Sequence, residues 1–260
     1  MTVHPSPERW FYRPRKVQGI VDTRLFCFPF GGGGASAYRD WPRALPPGTD
    51  LVAVRPPGRE SRIGEPPYAD TQQLVADLQP LIEPLLDRPF AFFGHSMGAL
   101  VSFELARRLV ESGAPGPGHI FVSARRAPTV PDRLPPIGHL SQPDFLEEVR
   151  SRFGDMVVAL VDDPEARDLL LPCLLADVRM VENHVHRPGD PLPCPMTVFF
   201  GLEDPTMRPP DARKWRDQTS GRFQAVPVRA GHFYLQEHFR SILQVVSYEL
   251  SRLPRSANGA

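Results

Sequence analysis

The sequence predicts an α/β fold with a mostly parallel central sheet and helices on both of its faces. Short apolar runs recur along the chain without alternating polar residues, which is typical of strands that are covered on both faces. Segments with apolar residues at helical spacing alternate with these runs, as in doubly wound domains. The range 129–190 departs from this pattern, because it carries helical spacing without a convincing strand.

The predicted elements follow in chain order. Buried strands are predicted at 24–28, 51–54, 90–93, 120–123 and 196–200. Helices are predicted at 71–86, 97–111 and 234–253, with Gly113 as the expected stop of the second helix. An apolar stretch at 223–228 precedes the last helix.

The chain is predicted to be one domain, 1–260. Its core would comprise about 20–128 and 191–253, and an all-helical insertion, about 129–190, would form a lid over the site. The helical patterns of this insertion cover 142–153, 165–175 and 177–184. An ordinary pair of crossover helices is the alternative. The range 254–260 is predicted to be a disordered tail.

Composition argues against several classes of partner and site. Among 260 residues, 30 basic and 30 acidic side chains balance, so neither nucleic acid nor an anionic membrane is expected as an electrostatic partner. The three cysteines lie far apart without a C-x-x-C pair, which argues against a disulfide framework and a zinc site, and we expect no metal. The N-terminus has no apolar signal region and no stretch is long enough to span a membrane, so we expect a cytoplasmic protein.

The sequence Gly94-His95-Ser96-Met97-Gly98 lies between a predicted strand and a predicted helix. In the α/β-hydrolase fold, this Gly-x-Ser-x-Gly turn strains the serine backbone and presents its hydroxyl above the sheet. Glycines are needed because Cβ atoms at their positions would collide with the neighbouring strand and helix. Ser96 is therefore the predicted nucleophile, and a structural serine in a tight turn is the alternative.

The α/β-hydrolase chain order places an acid and then a histidine after the nucleophile. His232 follows a glycine in a loop before the last helix, which lets the imidazole point back at the serine, so it is the predicted base. Asp204 follows the predicted strand at 196–200 and precedes Pro205, and it is the predicted acid. Glu203 is the competing acid.

The oxyanion hole needs two backbone N–H groups, and Met97, which follows the nucleophile, is predicted to supply one. The second would come from the loop FPFGGGG at 28–34, where Pro29 cannot donate and the glycines let the backbone approach a substrate. Phe30 is the first choice and Gly31 the second. This loop lacks the Gly-Lys-Ser/Thr of a phosphate loop and the spacing of a dinucleotide-binding loop, which argues against nucleotide binding.

Six segments carry a resemblance to a known family: LFCFPFGGGGASAYRDW, VRPPGRESR, FAFFGHSMGALVSFELAR, LLADVRMVENH, FFGLEDP and AGHFYL. In this order, over roughly residues 8–250, they resemble the type II thioesterases, the free-standing thioesterases that accompany polyketide synthases and nonribosomal peptide synthetases. One departure is visible, because Phe30 and Gly31 stand where the family often has histidine or tyrosine and then alanine. The backbone donors should survive this change.

The resemblance implies an α/β-hydrolase fold and a serine thioesterase that hydrolyses acyl groups from the phosphopantetheine arm of carrier proteins, removing aberrant or stalled acyl chains. It also implies acyl or peptidyl carrier domains as partners, a monomer, and no metal or organic cofactor. Arg125 and Arg126, after the predicted strand at 120–123, are candidates for docking an acidic carrier protein. Solvated charge beside a turn is the alternative for these two residues.

Three other functions are weighed against this one. A small-molecule carboxylesterase or lipase-like hydrolase would prefer oxyesters over acyl-pantetheine. A chain-releasing thioesterase separated from its synthase is the second, and a start at Met1 without a linker argues against it. The third is a non-catalytic relative that acts as a binding partner, and the presence of Ser96, Asp204 and His232 together argues against it.

Overall fold

The strands form one sheet in a computed structural model of the chain, which describes residues 7–154 and 164–254. The strands of these residues are β1 (Phe11–Tyr12), β2 (Thr23–Phe28), β3 (Thr49–Val54), β4 (Phe90–His95), β5 (His119–Ser123), β6 (Met196–Gly201) and β7 (Phe223–Val228). Their order across the sheet is β1-β3-β2-β4-β5-β6-β7. All neighbours are parallel except β1, which pairs antiparallel with β3. The mostly parallel sheet is confirmed.

In the described ranges, five longer helices accompany the sheet: α1 (Thr71–Ile82), α2 (Met97–Glu111), α3 (Gln142–Phe153), α4 (Pro164–Glu182) and α5 (Leu235–Leu250). Helix α1 begins after Asp70, whose carboxylate accepts a hydrogen bond from the Gln73 N–H at 2.7 Å. The patterns at 165–175 and 177–184 belong to one continuous helix, so their separation was wrong. Asp177 interrupts the apolar pattern without ending the helix, because its side chain is buried against another segment of the chain.

Apolar side chains cover both faces of the sheet, as the sequence predicts. Phe26 and Phe92 pack on one face with α1 and α2, whereas Leu25 and Phe93 pack on the other with α5. Successive residues of a strand point to opposite faces, so each central strand contributes to both clusters. A third, smaller cluster lies between α3 and α4 and includes Phe145, Val149, Leu171 and Leu174.

The helices α3 and α4 lie between β5 and β6, in the range predicted to be an all-helical insertion. Residues 155–163 of this insertion and residues 255–260 of the predicted tail lie outside the described residues. The role of the insertion as a lid stays a prediction, and so do the domain boundaries. Strand β1, only two residues long, was missed because so short a segment carries no periodicity. Within the described ranges, no helix is both long enough and apolar enough to cross a membrane.

Candidate active site

Ser96 lies in a strained turn between β4 and α2. Its backbone has φ 52° and ψ −112°, a region that residues with a Cβ atom rarely adopt. The Ser96 N–H donates to the carbonyl of Ser123 at 2.8 Å, which ties the turn to the end of β5. The neighbouring strand therefore helps to hold the serine in this conformation.

The two glycines of the motif allow a close backbone contact. A Cβ atom at Gly94 would lie 2.2 Å from the Gly98 carbonyl oxygen. A Cβ atom at Gly98 would lie 2.1 Å from the Phe28 carbonyl oxygen, at the end of β2. Both distances are far inside van der Waals contact, so the collisions expected from the sequence are confirmed.

The chain brings Ser96, His232 and Asp204 together from three different loops. His232 lies between β7 and α5, and its Nε2 is 2.9 Å from the Ser96 Oγ. The Nδ1 of the same ring is 2.7 Å from Oδ2 of Asp204, which follows β6. Glu203, the competing acid, is exposed. This arrangement can pass a proton from the serine hydroxyl to the imidazole while a carboxylate faces the opposite ring nitrogen.

Asp204 is buried and keeps its charge through hydrogen bonds. Thr206 donates to its Oδ1 from the backbone N–H at 2.9 Å and from the hydroxyl at 2.7 Å. Burial alone would raise the pKa of Asp204, but the positive charge of His232 and the hydrogen bonds from His232 and Thr206 hold the pKa below its ordinary value. Asp204 can therefore stabilise an imidazolium at His232.

The glycine-rich loop after β2 contributes Gly31 to the same site. Gly31, Ser96 and Met97 all line one cavity, whereas Phe30 is not among the described residues that line it. The Phe30 ring packs edge-on against His95 and Phe233, with centroid distances of 5.9 and 5.1 Å. These contacts place the loop beside the nucleophile, and the choice between the Phe30 and Gly31 N–H groups stays a prediction.

The cavity beside Ser96 has a volume of about 260 Å³. Much of its apolar wall comes from the insertion and its flanks: Ile137, Val149, Phe153, Leu174, Val178 and Val181. The Phe153 ring on α3 lies 4.9 Å from the His232 ring, measured between centroids. A hydrophobic group attached to the atom that Ser96 attacks would therefore have an apolar chamber beside it.

Comparisons with known proteins assign the chain to a family. The thioesterase domain family matches residues 23–249, most of the chain. The linear gramicidin dehydrogenase LgrE of Brevibacillus parabrevis is 37% identical over 249 residues, which are 95% of this chain and 94% of LgrE. The gramicidin S biosynthesis protein GrsT of Aneurinibacillus migulanus is 36% identical over 250 residues, 96% of this chain and 97% of GrsT. This chain belongs to the thioesterase family.

The fold of this thioesterase agrees with that of solved relatives. The type II thioesterase BorB from the borrelidin biosynthetic cluster superposes with a TM-score of 0.82 and is 35% identical, covering 93% of this chain and 96% of BorB. The resemblance to type II thioesterases and the α/β-hydrolase fold are thus confirmed, and the enzyme is a thioester hydrolase. The name of LgrE refers to a dehydrogenase, but the glycine-rich loop here lacks the dinucleotide-binding spacing.

Arg125 and Arg126 line the cavity of the thioesterase. Arg126 forms an ion pair with Asp132 and donates from Nε to the Val130 carbonyl at 2.9 Å. Burial and the neighbouring charge of Arg126 lower the pKa of Arg125 to about 9. Both side chains belong to the wall of the cavity, and a role in docking a carrier protein stays a prediction.

A buried polar network under the nucleophile was not foreseen from the sequence. His95 Nδ1 lies 2.9 Å from the Ser123 Oγ, and Ser123 in turn contacts the Tyr234 hydroxyl at 2.7 Å. Burial lowers the pKa of His95 well below its ordinary value, and the charge of His232 adds a smaller effect in the same direction, so this imidazole stays neutral. Thr206 was missed as well, although an aspartate side chain often accepts a hydrogen bond from the backbone N–H two residues on, as Asp204 does from Thr206.

Proposed function

We propose that this thioesterase removes acyl groups from the phosphopantetheine arm of carrier proteins, by an acyl-enzyme mechanism at Ser96. One observation carries the proposal: a continuous set of hydrogen-bond distances runs from Ser96 through His232 to Asp204 beside an apolar cavity. The comparison with GrsT and BorB supports the substrate class, because their names refer to gramicidin S biosynthesis and to the borrelidin cluster. Aberrant or stalled acyl chains are the proposed substrates.

The first half of the reaction transfers the acyl group to the enzyme. His232 accepts the Ser96 proton as the serine oxygen attacks the thioester carbonyl. The N–H group of Met97 and that of Phe30 or Gly31 would hold the oxyanion. The C–S bond then breaks, and the thiolate leaves readily because an ordinary thiol has a pKa of about 8.5. The imidazolium returns its proton to this sulfur.

The second half releases the acid. His232 accepts a proton from water, and the resulting hydroxide attacks the acyl-Ser96 ester. The C–O bond to Ser96 breaks as His232 returns the proton to the serine oxygen. Asp204 stabilises the imidazolium in both halves. The mechanism needs no metal and no organic cofactor.

Carrier-protein domains of a modular synthase are the proposed partners, and the enzyme is proposed to act on them as a monomer. Arg125 and Arg126 are proposed to attract the acidic surface of such a carrier. Replacing both with glutamine should raise KM for an acyl-carrier protein and leave KM for acyl-pantetheine unchanged. An equal rise for both substrates would place their action inside the cavity and contradict a docking role. The cytoplasmic location stays a prediction.

The central test compares two substrates that carry the same acyl group. Propionyl-phosphopantetheinyl carrier protein should be hydrolysed with a much higher kcat/KM than p-nitrophenyl propionate, and Ser96→Ala should abolish the activity. Ser102→Ala is the matched control, because it removes a buried hydroxyl from the helix that follows Ser96 and should leave activity intact. Ser96-dependent activity confined to the free ester would identify a carboxylesterase instead.

A further inference from the structure

A buried ion pair connects the insertion to the glycine-rich loop. Arg59 and Asp177 are 3% and 1% exposed. The guanidinium binds the carboxylate through two parallel hydrogen bonds, from Nη1 to Oδ2 and from Nη2 to Oδ1, each 2.9 Å long. Asp177 lies on α4, and Arg59 follows β3. The proposed mechanism leaves both residues without a role.

The pair also holds the backbone of the glycine-rich loop from two sides. The Gly32 N–H donates to the Asp177 Oδ2 at 2.7 Å, and Arg59 Nη1 donates to the Gly33 carbonyl at 3.0 Å. The Gly33 N–H donates to the Phe30 carbonyl at 2.9 Å, which closes a turn around Gly31 and Gly32. The two candidate oxyanion donors, at Phe30 and Gly31, are therefore part of a turn whose far side the ion pair fixes.

The charges suit this position. Gly32 needs an acceptor for its N–H, and a carboxylate forms shorter and stronger hydrogen bonds than a neutral oxygen. An unpaired carboxylate beside the oxyanion hole would oppose the negative charge that develops there, and Arg59 offsets it. Burial would lower the pKa of Arg59, but the charge of Asp177 and its hydrogen bonds raise the pKa above its ordinary value, so the guanidinium stays charged.

The side of α4 that carries Asp177 packs closely on the loop. A Cβ atom at Gly32 would lie 3.0 Å from Cδ1 of Leu174, one turn before Asp177, and Gly32 itself has φ +73°. Leu174, Asp177 and Gly31 all line the cavity beside Ser96. One stretch of α4 thus forms part of the acyl chamber and contacts the oxyanion-hole loop.

We propose that Asp177 and Arg59 are positioning residues that fix the conformation of the oxyanion-hole loop. The geometry of this loop then depends on how α4 packs against it. The inference rests on the proposed serine mechanism but not on the identity of the acyl carrier. A shift of α4 that enlarges the chamber would withdraw the carboxylate from Gly32 and weaken the oxyanion hole. Acyl groups that distort α4 would therefore react slowly even when they bind.

The test compares Asp177→Asn with Asp50→Asn. Asp50 forms another buried ion pair, with Arg24 at 2.9 Å. This pair lies where β2 and β3 begin, at the opposite end of the parallel strands from Ser96. Both variants lose the charge of a buried carboxylate, and both should lose stability. Only Asp177→Asn should lower kcat on an acyl-pantetheine, by about 10- to 100-fold with KM changed less than about threefold, since it weakens an interaction made in the transition state. Equal losses of kcat in both variants would overturn the proposal.

A second readout measures the oxyanion hole directly. Ser96 adds to the carbonyl of a trifluoromethyl ketone while His232 accepts its proton, which leaves an oxyanion bound to the enzyme. The inhibition constant of this ketone should rise in Asp177→Asn by the factor by which kcat falls. An unchanged inhibition constant would mean that the ion pair has only a structural role, and would overturn the proposal.

Arg59→Lys keeps the positive charge but loses the parallel hydrogen bonds, and it carries the test if Asp177→Asn does not fold. Arg59→Lys should lower kcat and raise the inhibition constant of the ketone by the same factor. Wild-type values of both quantities would overturn the proposal. The ketone also separates the two proposals of this thioesterase. Wild-type enzyme that is inactive on acyl-carrier proteins but inhibited by the ketone would refute the proposed substrate, whereas the inhibition constants of the variants would still decide the role of the ion pair.

Discussion

The turn after β4 and the glycine-rich loop after β2 lie side by side and are fixed in different ways. The first is held by backbone contacts, because Gly94 and Gly98 leave no room for a Cβ atom and the Ser96 N–H is bonded to Ser123. The second is held by side chains from distant segments, and Asp177 is 145 positions from Gly32 along the chain. The first turn is fixed by close backbone packing, and the second loop is fixed by the side chains of an ion pair.

This difference predicts opposite sensitivities. The turn after β4 should tolerate no added atom and should be insensitive to how the insertion packs. The glycine-rich loop should tolerate an added methyl group where space allows and respond to changes in its distant partners. The turn after β6 likewise leaves no room for a Cβ atom at Gly201, which would lie 2.3 Å from the Gly231 carbonyl oxygen, while a side chain of the same turn, Thr206, holds Asp204.

Gly98→Ala should have the largest effect. Its Cβ atom would meet the carbonyl oxygens of Phe28 and Pro29 at 2.1 and 2.6 Å, so both the turn and the glycine-rich loop would have to move. Alanine favours a helix by about 1 kcal/mol over glycine, but overpacking costs about 1–3 kcal/mol or more. We expect a net loss of stability and no detectable hydrolysis, measured by denaturant unfolding and thioester turnover. Wild-type activity in this variant would refute the steric account.

Asp204→Asn should lower kcat by about 10³- to 10⁴-fold, because an amide neither fixes the imidazole tautomer nor stabilises the imidazolium. The change is nearly isosteric and leaves Gly201 in place, so it separates the chemistry of the β6 turn from its sterics. Glu203→Gln is the matched control on the adjacent exposed residue. If Glu203→Gln lowered kcat and Asp204→Asn did not, the assignment of the acid would be wrong.

Thr206→Val should lower kcat by about tenfold, since a hydrogen bond to a charged group contributes about 1.5–3 kcal/mol. The pKa of Asp204 lies below its ordinary value, so its ionisation stabilises the fold above the ordinary value of about 3.9 and the benefit is lost as pH falls through the lowered pKa. Loss of the hydroxyl raises that pKa. The acid-dependent fall in the free energy of unfolding should therefore be smaller than in wild type, and it should end at a higher pH.

Thr219→Val is the control for this measurement, because it removes another threonine hydroxyl that forms hydrogen bonds: the Thr219 hydroxyl donates to the Cys194 carbonyl and accepts from the Gly221 N–H, away from any carboxylate. Its acid unfolding profile should keep the wild-type shape. A profile shifted equally in both variants would assign the effect to threonine loss in general.

Sequence reasoning predicted what local geometry decides. The five residues at 94–98 indicate the strained turn because the two glycines leave no room for a Cβ atom beside the backbone of α2 and of the neighbouring strand β2. The preference for Asp204 over Glu203 rested on side-chain length and a following proline, and the structure places Asp204 against His232 while Glu203 faces solvent. Helix 97–111 was predicted to the residue, since its apolar spacing and a following glycine mark both ends.

The contacts that join distant segments could not be predicted in the same way. Asp177 was predicted to begin a second helix, because a single polar residue in an apolar pattern does not reveal its partner. The contact of His95 with Ser123 likewise depends on the pairing of β4 with β5. In each case the residue types were visible in the sequence, but the distance between them is set by the sheet order and by helix packing.

Gly31→Ala should have the smallest effect, although Gly31 lines the cavity beside Ser96. The substitution removes no charge and no hydrogen-bonding group. Its Cβ atom would lie 3.5 Å from the Cβ of Asp177, an ordinary van der Waals contact, and Gly31 is not among the described glycines with positive φ. Alanine keeps the backbone N–H and restricts the unfolded chain, which stabilises by about 0.4–1 kcal/mol at a compatible site.

We expect kcat/KM for an acyl-pantetheine to stay within about threefold of wild type and the unfolding midpoint to rise slightly. Type II thioesterases often have alanine at this place, so the substitution restores the residue that the resemblance leads one to expect. Combined with Asp177→Asn, it should no longer be neutral, because the methyl group would then press on a turn that has lost its carboxylate anchor. Strict additivity of the two changes in kcat would show that the loop is fixed without Asp177, and would remove the contrast with the turn after β4.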